Sequence, residues 1–164
     1  MTLPQAKRLL VRQAGKVTQK SVALFLKHKI NYRLARCIFL SAQDESALST
    51  LQTYFVARIL KGHTKDILFL NNSAFKENNP NAKSRSSALL CLESLAEKGI
   101  DGVLPGLQNG LNDSARAYFM KDGIAGYWVT NREVAEEGIR ALAKKGNKKA
   151  KEILRKSEGF ERWP

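Results

Sequence analysis

The stretch VAEEGIRALAKKGNKKAKEIL, Val134 to Leu154, constrains the fold more than any other part of the chain. It reads as a helix, a glycine stop and a second helix. Shifted back by 47 residues, it falls on an earlier copy of itself. Ala135 lies on Ala88, Ile139 on Leu92, Leu142 on Leu95 and Ala143 on Ala96. Lys145-Gly146 falls on Lys98-Gly99, Ala150 on Val103 and Leu154 on Leu107. The first helix carries a small and large apolar stripe. Glycine in the left-handed conformation turns the chain, and the second helix returns across the first. One such hairpin cannot bury its apolar face alone, so neighbours must stack.

Helical spacing runs through the rest of the sequence. Leu3, Ala6, Leu9 and Leu10 follow a 3.6-residue period, as do Leu48, Leu51, Phe55 and Ile59. Alternating runs of Val, Ile and Thr, the mark of half-buried strands, are missing from this reading. Gly15 and Gly62 divide helices, and Asp44 is placed to cap a helix over 45–61. The polar run NNSAFKENNPNAKSRSS predicts a loop, a joint at 71–85 between two helical halves of one domain covering 1–164. Later helices are expected near 86–98, 100–111, 113–125, 131–145 and 147–158, with Asp113 and Asn131 as caps. The count is ten helices, or about five antiparallel pairs.

A period of this length in an all-helical chain resembles the HEAT-repeat family. The resemblance is clearest from Ser87 to Leu154. LNDSARAYF is similar to the family's turn Asp followed by a helix Arg, through Asp113 and Arg116. It implies an all-α, right-handed α–α superhelix, a HEAT/armadillo-like solenoid. It also implies a binding surface rather than a catalytic one.

Charge points the same way. The net charge is +13, and Met1 to Gln43 holds nine basic residues and no acid. Such a surface suits an anionic partner. No sequence signature of a phosphate loop, a zinc site or a nucleophile is present, and His28 and His63 stand far apart. The expectation is therefore no enzyme, no cofactor and no metal. Cys37 and Cys91, both in apolar helical surroundings, read as buried free thiols in a reducing cytoplasm. No apolar run reaches the roughly 18 residues of a membrane span or forms a secretory core.

Two functions compete. One is a scaffold for an acidic protein partner, as in the small bacterial immunity proteins of HEAT-like build, which cover a cognate toxin domain. Its candidate contacts are Arg116, Lys121, Tyr127, Trp128, Lys148, Lys149 and Arg155, a mixture of aromatic and cationic groups suited to protein hot spots. The other is nucleic-acid binding through the phosphate backbone. Its candidates are Lys7, Arg8, Arg12, Lys16, Lys20, Lys27, Lys29, Arg33 and Arg36. The oligomeric state is not encoded in any of these features.

Overall fold

The fold comes from a computed structural model, which describes residues 32–119 and 127–157. The described chain is mostly helical. Seven α-helices are α1 (Tyr32–Ser41), α2 (Glu45–Leu60), α3 (Lys65–Ser73), α4 (Ala82–Glu97), α5 (Leu104–Gly110), α6 (Asn131–Lys144) and α7 (Lys148–Ser157). A short 3-10 turn, Asp101–Val103, leads into α5. Two strands, β1 (Arg116–Phe119) and β2 (Tyr127–Thr130), form an antiparallel hairpin before α6.

The helices after α1 form three pairs, α2/α3, α4/α5 and α6/α7, and each pair turns at the same dipeptide. Lys61-Gly62, Lys98-Gly99 and Lys145-Gly146 hold glycine φ values of 95°, 80° and 96°. The hydrogen bonds match as well. Each glycine N–H donates to the carbonyl three residues back, at 2.9, 2.9 and 3.0 Å. Each following N–H donates five residues back, from His63, Ile100 and Asn147, at 3.1 Å in all three. This six-to-one closure satisfies carbonyls that a helix end otherwise leaves orphaned.

The pairs stack in register. Lys83 Nζ donates to the Gln43 carbonyl, 40 residues back, and the Gly106 N–H donates to Asn71 Oδ1, 35 residues back. The next step joins Ser86 to Asn131 and Asp101 to Asn147, separations of 45 and 46 residues. These offsets sit close to the glycine-to-glycine spacings of 37 and 47. Helix α4 therefore lies between α2 and α6 in one layer, and α5 packs on α3 in the other. That position buries α4 on most sides, from Ser84 to Leu89 and again at Cys91, Leu92, Leu95 and Ala96.

One hydrophobic cluster runs from Leu34 to Ala150. Frame positions shared by the second and third pairs are buried alike. Ala88, Leu92, Leu95 and Val103 have no more exposure than Ala135, Ile139, Leu142 and Ala150, all at 0%. Close approach requires missing side chains. A Cβ on Gly138 would come within 2.7 Å of Leu107 Cδ2, and one on Gly106 within 2.9 Å of the Asn71 Cα. At the other end Phe39, Phe55 and Phe69 pack edge-on or tilted, with centroids 5.2 to 5.7 Å apart.

The sequence reading needs correction at several points. The helix expected over 113–125 is replaced by the hairpin, so strands are present after all. The polar run 71–85 is a connection only over 74–81: α3 continues to Ser73 and α4 begins at Ala82, with Asn81 as its cap. Asn131 is the first residue of α6, and Thr130 is its cap. Cys37 is exposed on α1, while Cys91 is buried, and burial pushes its thiol pKa up. Of the ten expected helices, those before Tyr32 lie outside the described residues, which hold three pairs and α1.

Candidate functional site

The hairpin is anchored by a buried polar cluster. Asp113 is 5% exposed, Arg85 5% and Asn131 0%. Arg85 Nε donates to Asp113 Oδ2 at 2.7 Å, and Asn131 Nδ2 donates to the same oxygen at 2.8 Å. The Ala115 N–H donates to Asp113 Oδ1 at 3.0 Å. Ser86 Oγ donates to Asn131 Oδ1 at 2.6 Å, and Arg85 Nη1 to the Asn79 carbonyl at 2.9 Å. The strand instead of a helix follows from this. A helix cap would spend the carboxylate on amides of its own first turn. Here the demand of a buried guanidinium turns it inward, and the bond to Ala115 two residues on starts a turn. The partner of Asp113 is thus Arg85, not a helix residue at Arg116.

Burial alone raises the Asp113 pKa, but hydrogen bonds from Arg85, Ala115 and Asn131 outweigh it and hold it below the ordinary carboxylate value. The hairpin also closes by a bond from the Asn131 N–H to the Ala115 carbonyl, 2.8 Å. Arg116 pairs with Thr130 across the strands, and Trp128 lies two residues before Thr130. Alternation in a strand puts Arg116, Trp128 and Thr130 on one face. Val129, on the other face, packs against the core. Trp128 is 63% exposed and Arg116 is exposed. Below them Thr130 and Glu133 form a capping box: the Thr130 N–H donates to Glu133 Oε2 at 2.6 Å and the Glu133 N–H to Thr130 Oγ1 at 3.1 Å. The Thr130 N–H and hydroxyl both donate to the Glu133 carboxylate and, with the charge of Arg116, lower its pKa.

Helix α6 separates the two ends of the candidate set. It has 14 residues, so the hairpin at its start lies roughly 21 Å from Lys145-Gly146 at its end. The structure brings Arg116 and Trp128 together on the hairpin. It places Lys148 and Lys149 at the far edge, in the first turn of α7, and Arg155 two turns along that helix on its way back. The outer face of α7 is cationic: Lys148, Lys149, Lys151, Arg155 and Lys156 are exposed, and Glu152 is bridged to Lys156 at 2.7 Å. Tyr127 lies in β2. Lys121 lies outside the described residues, as do Lys7, Arg8, Arg12, Lys16, Lys20, Lys27 and Lys29. Arg33 is exposed on α1, and the Arg36 guanidinium stacks 4.4 Å from the Phe69 ring centroid.

An open groove of about 480 Å³ lies between α4 and α6. Its walls carry Glu93, Glu97 and Glu137 with Arg140, Lys144 and Lys145, so it presents both signs of charge. Among the described residues, no group of three or more His, Cys, Asp or Glu is placed to hold a metal ion. Among them too, no helix is long and apolar enough to cross a membrane.

Sequence reasoning missed Arg85, read Asn131 only as a helix cap, and took Gly62 as a helix stop without placing Lys61-Gly62 in the repeat frame. The signals were present but weak: a lone arginine inside SRSSALLCL, and Lys61-Gly62 preceded by Leu51, Phe55 and Ile59 at the frame's apolar positions. No protein-family model, curated protein or solved structure matches the chain.

Proposed function

We propose that this chain is a non-enzymatic binding scaffold. It is a right-handed stack of helix pairs, similar to HEAT-repeat proteins, that recognises an acidic face of a protein partner in the cytoplasm. The observation that carries this reading is Trp128, 63% exposed beside Arg116 on a hairpin anchored by buried hydrogen bonds. Leaving a tryptophan in water sacrifices a large share of its burial energy. Trp and Arg on a rigid support are the residues that dominate protein interfaces. The hairpin is also an insertion: its pair of helix units is spaced by 47 residues, where the preceding pair is spaced by 37. In repeat arrays such insertions gather on the binding face.

The charge of the exposed Arg116 on the hairpin supports the choice of an acidic partner surface, because charge complementarity speeds encounter and rejects wrong partners. A toxin domain blocked by such a scaffold, the immunity reading, fits this arrangement. The test is recovery of partners by the tagged full-length chain from its native host. Wild type should retain one protein, and the purified partner should bind Trp128→Ala at least about tenfold more weakly. Recovery of no protein, or of a protein that binds Trp128→Ala and Arg116→Ala equally well, ends this reading.

A further inference from the structure

The three Lys-Gly turns lie on one edge of the stack, opposite the hairpin. Several contacts fix that placement. The stem of Lys145 passes over Gly99, within 3.2 Å of where a Cβ would sit. Asn147 Nδ2 donates to Asp101 Oδ1 at 2.7 Å, tying the third turn to the second. Ile67 side-chain atoms lie 3.6 and 3.7 Å from the Cβ position of Gly102, tying the second to the first. The closing lysines, Lys61, Lys98 and Lys145, are all exposed. Lys65, Lys144 and Lys148 flank them and are exposed as well.

The lysines are not alone on this edge, but Asp66 is neutralised by its own cation. Asp66 is 1% exposed and bonded to Arg58 at 2.8 Å, and Asp101 accepts from Asn147. Asp101 keeps its charge, since its donor is a neutral amide, and Glu93, Glu97 and Glu137 share a groove with Lys144 and Lys145. Among the described residues, no carboxylate stands within ion-pair distance of Lys61, Lys98 or Lys145. With stacked helices about 8–10 Å apart, the row of three spans roughly 20 Å. A strand of duplex DNA advances about 3.4 Å per phosphate, so the row faces about six phosphates.

We propose that this edge is a track for the phosphate backbone of a nucleic acid. Its composition separates it from the hairpin. Lysine is depleted in protein interfaces, and the row holds neither the arginine fork that grips carboxylates nor an aromatic anchor. Flexible point charges on a regular spacing suit a polyanion read without regard to sequence. This second surface does not depend on the protein partner: the scaffold holds nucleic acid on one edge and its partner on the other.

The test is binding of a labelled 20-base-pair DNA duplex and of a 20-nucleotide single strand by the full-length chain, between 50 and 200 mM salt. Wild type binds at low salt and loses affinity steeply as salt rises. Lys61→Gln/Lys98→Gln/Lys145→Gln weakens duplex binding at least about tenfold and flattens the logarithmic salt slope by about two to three. The control Lys76→Gln/Lys83→Gln/Arg132→Gln removes the same charge from the opposite edge and keeps most of the affinity. A thermal melt confirms that both variants are folded. No binding at 50 mM salt, equal loss in both variants, or an identical response to polyglutamate overturns the assignment. Loss of protein-partner binding in Trp128→Ala with this track intact separates the two proposals.

Discussion

Arg85 and Asp113 stand 28 residues apart in sequence and meet at 2.7 Å with about 6% and 5% of their side chains exposed. Their ion pair joins the first turn of α4 to the segment that begins the hairpin. A buried charge is tolerated only when its partner and its remaining hydrogen bonds are in place. Here the guanidinium also serves two backbone carbonyls, and the carboxylate accepts from Ala115 and Asn131. Removing either partner strands the other. Asp113→Ala and Arg85→Ala should each destabilise the fold by about 3–5 kcal/mol, measured by urea unfolding. A loss below about 1 kcal/mol would mean that water replaces the missing group and the pair does not organise this edge.

The same carboxylate sets an acid limit. Its folded pKa lies below the ordinary value, so the ionised form is favoured by folding. That contribution is complete above the unfolded value of about 3.9 and is lost as pH falls through the folded one. The stability gap between wild type and Asp113→Asn should therefore be constant near neutral pH and narrow below about pH 4. Urea midpoints from pH 7 down to pH 2 read this directly; a gap unchanged at pH 2 contradicts it.

Two glycines fail for opposite reasons when replaced by alanine. At Gly106 the added methyl meets Leu92 and lies 2.9 Å from the Asn71 Cα, so backbone must move. At Gly146 nothing lies within 4 Å, but φ is 96°. Gly146→Ala should cost about 1–2 kcal/mol of backbone strain alone. Gly106→Ala should cost about 1–3 kcal/mol by overpacking, and a compensating Leu92→Ala should not restore it, because the Asn71 backbone still blocks the site. Full rescue by that second change would show that the side chain alone decides.

Thiol chemistry offers a simple check on packing around α4. Cys37 is exposed, whereas Cys91 is 1% exposed and its pKa is pushed up. The thiolate is the reactive form, so a disulfide reagent such as DTNB should modify one thiol per folded chain quickly. The second should react only on unfolding, at a rate set by urea. Prompt reaction of both in buffer would contradict the burial of α4.

The capping box of α6 gives a local test. Thr130→Ala removes the hydroxyl that accepts the Glu133 N–H at 3.1 Å. The expected cost is about 1 kcal/mol of thermal or urea stability, with partner binding by Trp128 unchanged at fixed folded fraction. No measurable cost would mean that water serves the first turn equally well.

Local signals fixed much of the helical content. Asp44 before an apolar stripe, and glycine after Lys98 and Lys145, are short-range features whose hydrogen bonds close within five residues. The 47-residue frame likewise marked which faces of α4 and α6 are buried, because burial follows helical spacing. Asp113 shows the limit of such signals. Before a run such as SARAYF its carboxylate is a reasonable helix cap, and nothing nearby contradicts that. Arg85, 28 residues earlier, redirects it. The polar run 71–85 shows both sides: residues 74–81 are the expected connection, while its two ends are helical. Asn79, Asn81 and Ser84 satisfy one another and the ends of α1 and α3, so residues that favour turns start a buried helix instead.

The sequence by itself determined that paired helices would stop at glycines and hide apolar stripes, since both depend on neighbours within a few turns. Only the tertiary structure decided that residues 116–119 and 127–130 pair as strands, that Trp128 is largely exposed, and that three lysines share an edge. Those outcomes depend on which groups stacking brings within hydrogen-bond reach across 28 to 46 residues, a distance over which spacing along the chain carries no direction.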